Sequence, residues 1–157
     1  MNILITGSNG QLGSELKILS IYYKKFTFFF KDLNELDICN KKQLNFFIEE
    51  NKINIVINCA AYTDVDKAEH DSITAKNVNT KGVLNLVKAL EKVDGKLIHI
   101  STDYVFKGNN FLPYRESDEV SPIGIYGKTK RGGELAVIKS YIDAIVIRTS
   151  WLYSAHG

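Results

Sequence analysis

The stretch Asn2–Gly13, NILITGSNGQLG, constrains this chain more than any other. An apolar run of strand character (Asn2–Thr6) enters T-G-x-x-G-x-x-G, and an amphipathic segment, Gln11–Ser20, follows at once. Strand, glycine turn and helix in that order open a parallel βα unit, with the helix N-terminus directing free N–H groups and partial positive charge toward the turn. Gly7 suits the tight turn, Gly10 a close approach of backbone to a pyrophosphate, and Gly13 the packing of helix on strand. Asn9, Gln11 and Leu12 lie between those glycines and belong to the same expected phosphate site.

The alternation continues to the end of the chain. Phe26–Phe30, Ile53–Asn58, Lys96–Ser101 and Ala144–Arg148 read as further strands. Lys41–Asn51, Ile73–Val93 and Gly127–Ser140 read as helices, and Lys107–Gly124, which holds both prolines, as a long loop. Continuous apolar strands separated by helices are those of a sheet covered on both sides. The expected fold is α/β: a doubly wound, Rossmann-like parallel sheet with helices on both faces. Residues 1–157 form one NAD(P)-binding domain in this reading, and little sequence follows the fifth strand to build a substrate lobe. At 157 residues, with 24% charged residues and a net charge of +2 of interspersed sign, neither nucleic acid nor a membrane is an expected partner. Cys39 and Cys59 lack metal or redox spacing, no apolar run reaches membrane-spanning length, and the chain opens directly on a strand. A cytoplasmic protein without a bound metal is the expectation.

Ligands of open α/β sheets bind beyond the carboxyl ends of the strands. Asp32, just past the second strand, is placed to take the ribose hydroxyls of NADH, whereas Lys31 beside it suits the 2′-phosphate of NADPH. Asp37–Ile38 is a helix-capping Asp with a core Ile, or a pair flanking an adenine. Tyr126 and Lys130 in YGKTK are four apart and share a helical face. A phenol there can give a proton to a carbonyl oxygen, with the ammonium lowering its pKa and binding the nicotinamide ribose. Thr102, ahead of Ser101, is the hydroxyl placed to hold that carbonyl oxygen. Hydroxyls after strands also cap turns, but this one follows the fourth strand and the Tyr opens the next long helix. Asp103 orients a neighbour or caps a turn; Trp151 stacks on a base or sugar or fills core.

Five segments in this order, TGSNGQLG, NCAAYTDVDKAE, ISTDYVF, YGKTK-x-x-GE and RTSWLY, resemble the dTDP-4-dehydrorhamnose reductase family of the extended short-chain dehydrogenase/reductases. The resemblance runs along the whole chain. It implies NAD(P)H-dependent reduction of the 4-keto group of a dTDP-6-deoxy-hexulose, with Thr102, Tyr126 and Lys130 as catalytic residues. It places Ala60, Ala61 and Tyr62 along the cofactor cleft, Trp151 near a nucleotide-sugar substrate, and allows a homodimer through helices flanking the Tyr. Three departures stand out. The family runs to nearly twice this length, its C-terminal portion shaping the sugar-nucleotide pocket. Arg131 and the Gly132–Gly133 pair replace an apolar residue and a single glycine, and the extra glycine costs a helix roughly 1 kcal/mol. Tyr62 stands where the family often has His. Two other readings share the glycines: a non-catalytic dinucleotide-binding module or regulatory subunit, and a nucleotide-sugar epimerase. The lone Asp103, followed by Tyr104, speaks against a dehydratase.

Overall fold

A computed structural model describes residues 1–156. Its elements are β1 (Asn2–Thr6), α1 (Gln11–Ser20), β2 (Thr27–Lys31), α2 (Lys41–Glu50), β3 (Ile55–Asn58), α3 (Val65–His70), α4 (Ser72–Lys76), a π-helical turn (Asn77–Gly82), α5 (Val83–Glu91), β4 (Lys96–Thr102), a 3-10 turn (Asp103–Val105), α6 (Ile125–Ile138) and β5 (Ala144–Thr149). The strands form one parallel sheet in the order β2-β1-β3-β4-β5. The chain steps outward from β1 to β2 and returns to the other side of β1, so the order reverses between β1 and β3. A ligand crevice opens at such a reversal.

The expected elements are present, with local corrections. Phe26 is not in β2, because its N–H closes a turn onto the Tyr23 carbonyl. Ile53 is not in β3: its N–H goes back to Ile48 and finishes α2. The single helix expected over Ile73–Val93 is interrupted by the π-helical turn, a feature that often marks a functional site. Helix α3 was not foreseen. Asp64 caps it through the Lys67 N–H (3.0 Å), and Asp71 caps α4 through the Thr74 N–H (3.2 Å). The two glycines of α6 have a steric reason. A Cβ on Gly132 would lie 2.5 Å from the Thr80 hydroxyl, and one on Gly133 would strike the Asn79 carbonyl. Their absence lets α6 settle against the π-turn.

Register assigns the strand side chains to two faces. Leu4, Val56, Leu97 and Val146 point to one side, where α2, α5 and α6 pack on one another and on a core that includes Leu44, Ile48, Leu86 and Leu90. On the other side lies a row crossing all five strands: Phe30, Ile5, Ile57, Ile98 and Ile145. The right-handed crossover puts α1 on this second side. Ile3 and Ile5 are buried there, yet Ile145 and Ile147 on β5 are 58% and 45% exposed.

Candidate functional site

Beyond the carboxyl ends of the strands lies a cleft of about 1340 Å³. One wall begins at the glycine turn. Gly7 adopts φ +64°, a conformation costly for residues with a Cβ, and a Cβ there would meet the Ala60 backbone nitrogen at 2.6 Å. A Cβ on Gly13 would strike the Gly7 carbonyl, so both glycines serve close packing. At Gly10 the nearest protein atom would be 3.4 Å away, an ordinary contact. What Gly10 keeps clear is therefore the cleft. Asn9, Gln11 and Leu12 complete this wall.

Asp32 braces the turn. One of its oxygens accepts the Asn9 N–H (2.8 Å) and the other the Leu33 N–H (2.7 Å), so the carboxylate is oriented at the cleft wall. Lys31 is drawn away to Glu35 (2.9 Å). Asp37 does not cap a helix: its carboxylate accepts the Cys39 N–H (2.8 Å), and Asn40 caps α2 through Gln43 (3.2 Å). Ile38 is buried in the core and also borders the cleft.

The opposite wall is carried by β4 and α6. Tyr126 and Lys130 rise from successive turns of one face of α6, as the spacing requires. Lys130 is 3% exposed and donates to the Ile100 carbonyl (2.6 Å). Burial pulls its pKa down to about 8, partly offset by Glu134. Tyr126 behaves differently from expectation. Burial raises its pKa, with Asp103 and Tyr104 adding to the rise, and the counteracting influence is a hydrogen bond with Thr102 rather than the Lys130 charge. The Lys130 ammonium itself is committed to a backbone carbonyl of β4.

Thr102 donates to Asp103 (3.1 Å) and accepts the Tyr104 N–H (3.2 Å). It is thus a turn cap, and the Asp103 carboxylate orients it. Trp151 stands at the cleft rim, 91% exposed with φ +52°, and does not fill core. Ala60, Ala61 and Tyr62 border the cleft between the two walls. One cleft thus collects the cofactor and catalytic residues singled out from sequence, Lys31 excepted.

Several contributors escaped the sequence reading. Tyr104 packs edge-on against the Tyr126 ring, centroids 5.5 Å apart at 77°. Asn79, in the π-turn, clasps Tyr62 by both backbone groups (2.9 and 3.0 Å) and donates to Thr129 (3.2 Å), tying α6 to the loop after β3. Glu69, from α3, accepts the Ile125 N–H (2.6 Å) at the start of α6, whose own cap position is Gly124. Another buried chain runs from Thr6 through Asn58 (2.7 Å) to His99 Nδ1 (3.0 Å). Burial and the nearby Lys130 charge hold His99 down at about 3, keeping it neutral.

A family model described as "RmlD substrate binding domain" matches residues 1–157. The dTDP-4-dehydrorhamnose reductase of Burkholderia thailandensis is 41% identical over 157 residues, all of this chain and 52% of that protein. Among solved structures, a dTDP-4-dehydrorhamnose reductase from Clostridium acetobutylicum is 44% identical with a TM-score of 0.95, over 99% of this chain and 55% of that one. The Bacillus anthracis dTDP-4-dehydrorhamnose reductase in complex with NADP is 39% identical, TM-score 0.93, over 97% and 54%. The chain spans about half the length of the relatives it matches.

Proposed function

The chain belongs to the RmlD substrate binding domain family, and from that membership we propose that it is the cofactor-binding and proton-donating portion of a dTDP-4-dehydrorhamnose reductase. The observation carrying this reading is that the glycine turn and the Thr102–Tyr126–Lys130 set line a single cleft. The cradle fits a dinucleotide: Gly10 keeps its wall open, the N–H groups at the start of α1 border the space, and Asp32 is held oriented. Gly7, Asn9, Gly10, Gln11, Leu12 and Gly13 would hold the pyrophosphate, Asp32 a ribose, Asp37 and Ile38 the adenine end, and Ala60, Ala61, Tyr62 and Lys130 the nicotinamide end. NADH or NADPH bound there supplies hydride equivalents for a ketone.

The chain's own residues do the rest. Tyr126 donates a proton to the carbonyl oxygen of the sugar nucleotide as negative charge develops on it, and the raised pKa of the buried phenol keeps that proton in place beforehand. The Thr102 hydroxyl, whose proton rests on Asp103, holds that oxygen by turning the proton toward it. Lys130 fastens the end of β4 to α6 and keeps a positive charge in the cleft below pH about 8. Tyr104, packed on the phenol, excludes water from one side, and Trp151 at the rim offers a face to the sugar nucleotide.

Tyr126→Phe is expected to abolish reductase turnover while binding NADH and NADPH as before, read by calorimetry and by cofactor oxidation. Undiminished turnover in that variant would overturn the mechanism. A second reading, a dinucleotide-binding module without turnover, is favoured by the apolar face that β5 leaves open. Micromolar cofactor binding with no turnover by the unsubstituted chain would select it.

A further inference from the structure

Helix α6 meets the end of β4 through three successive rungs. Tyr126, Lys130 and Glu134 are spaced by four residues; Lys130 and Glu134 engage the Ile100 carbonyl and the Ser101 hydroxyl, and Tyr126, one turn earlier, lines the cleft together with Thr102. The proposed reaction uses the first two rungs and leaves the third unexplained. Glu134 is fully buried and is not among the residues lining the cleft, so it does not meet substrate.

Its carboxylate is nonetheless the most heavily engaged side-chain group among the described residues. One oxygen accepts from Ser101 (2.6 Å) and Arg148 Nε (2.8 Å); the other accepts from Arg148 Nη2 (2.8 Å) and Arg131 Nη1 (2.8 Å). Burial would raise its pKa, but donors from Arg148, Ser101 and Arg131 more than offset this and hold it at about 2. Four donors leave a carboxylate no rotational freedom. The connection also reaches the cleft mouth. The Arg148 guanidinium lies 4.9 Å from the Phe106 ring centre, and Phe106 stacks on Tyr114 at 4.2 Å. Tyr114 in turn accepts the N–H groups of Gly108 (3.0 Å) and Asn110 (3.3 Å) at the start of the long loop.

We propose that Glu134 is a positioning residue of the reaction: it locks Ser101, and so fixes the adjoining Thr102 on the cleft wall it shares with Tyr126, and through Arg148 it pins the loop beside the cleft. The proposal rests on the reductase reading of the same cleft. Reacting groups displaced by about 1 Å can lose on the order of a hundredfold in rate, so a rigid anchor behind Thr102 has a catalytic consequence without touching substrate.

Ser101→Ala is the cleanest probe, because it cuts the rung and leaves the Glu134–arginine pairs intact. Glu134→Gln and Ser101→Thr accompany it in the 157-residue chain labelled with ¹³C-tyrosine, the Tyr126 signal being assigned by Tyr126→Phe. Thermal unfolding and calorimetric NADPH binding verify the fold. In Ser101→Ala the Tyr126 pKa should rise by about half a pH unit, the scale of one neutral hydrogen bond lost from the phenolate. Reductase turnover should fall about tenfold with KM little changed, a loss confined to the transition state. Ser101→Thr, which keeps the hydroxyl, should restore both. A Tyr126 titration in folded Ser101→Ala that superimposes on that of the unsubstituted chain overturns the proposal, even if Glu134→Gln fails to fold. If the unsubstituted chain neither binds cofactor nor turns over, the reductase reading falls, while the Tyr126 titration still decides the positioning claim.

Discussion

The two faces of the one sheet are built on opposite terms. The face under α2, α5 and α6 mixes Leu4, Val56 and Leu97 with Thr6, Asn58, His99 and Ser101, all buried. Nearly every polar atom there finds a partner, and His99 Nε2 is the exception on these strands. The other face is apolar throughout its central rows, from Phe30 to Ile145, and passes from burial under α1 to exposure at β5. Polar groups can be buried only where a wall supplies donors and acceptors, since an orphaned one costs about 1–3 kcal/mol. The chemistry therefore sits where α6 forms that wall. The open face carries mainly hydrophobic surface, with Lys96 at one end of β4 and Thr102 at the other.

The largest effect should come from removing the charge that the wall encloses. Glu134→Ala strands two guanidinium groups and should cost about 3–5 kcal/mol in denaturant unfolding, the usual penalty for breaking a buried pair. The pH dependence has a definite sign. The folded carboxyl titrates at about 2, below its ordinary value of 4.5, so its contribution is present above pH 4.5 and lost as pH falls toward 2. The stability gap between the unsubstituted chain and Glu134→Gln should accordingly shrink over that range. A gap that stays constant to pH 2 would mean that the carboxylate is not held as described.

Neighbours on one strand compare the faces directly. Leu97 points into the wall and is 1% exposed; Ile98, the next residue, points to the open side. Leu97→Ala should cost about 3 kcal/mol and Ile98→Ala about 1, because only the first leaves a sealed cavity. Equal losses would mean that both faces are enclosed in solution.

Lys130 offers a stability change of the other sign. Its folded pKa of about 8 lies below the ordinary 10.5, so below pH 8 the fold carries the cost of a buried ammonium, and stability should rise as pH climbs from 8 to 10.5. Lys130→Met should gain about 1–3 kcal/mol at neutral pH, the buried charge being removed at the expense of one bond to Ile100, and on the proposed reductase reading turnover should disappear. Loss of stability instead would show that the Ile100 bond outweighs desolvation.

How much of this could be read beforehand follows from the kind of interaction. The strands, the glycine turn and the Tyr126–Lys130 face are periodic or local, and the sequence carries them openly. Asn79 clasping Tyr62 and Glu69 capping α6 join residues 17 and 56 apart, and no local pattern announces such pairs. Arg131 and Gly132 read as departures until α6 is seen to need one donor toward Glu134 and no Cβ toward Thr80. The strand pattern misled in one respect. AIVI and KLIHIS look like strands covered on both sides, and the pattern does not say what supplies each cover.

The smallest expected effect tests that last point. Ile147 points to the open side of β5, the edge strand, and is 45% exposed, so Ile147→Ser removes little buried surface and strands no polar group. Its cost in the 157-residue chain should be within about 0.5 kcal/mol, as for surface positions generally. A seryl hydroxyl in the apolar patch should also weaken dye binding and any self-association, read by sedimentation. A loss as large as that of Leu97→Ala, vanishing on dilution, would show a second copy covering the face. The two faces would then differ in when they are covered, one on folding and one on assembly, rather than in whether they are.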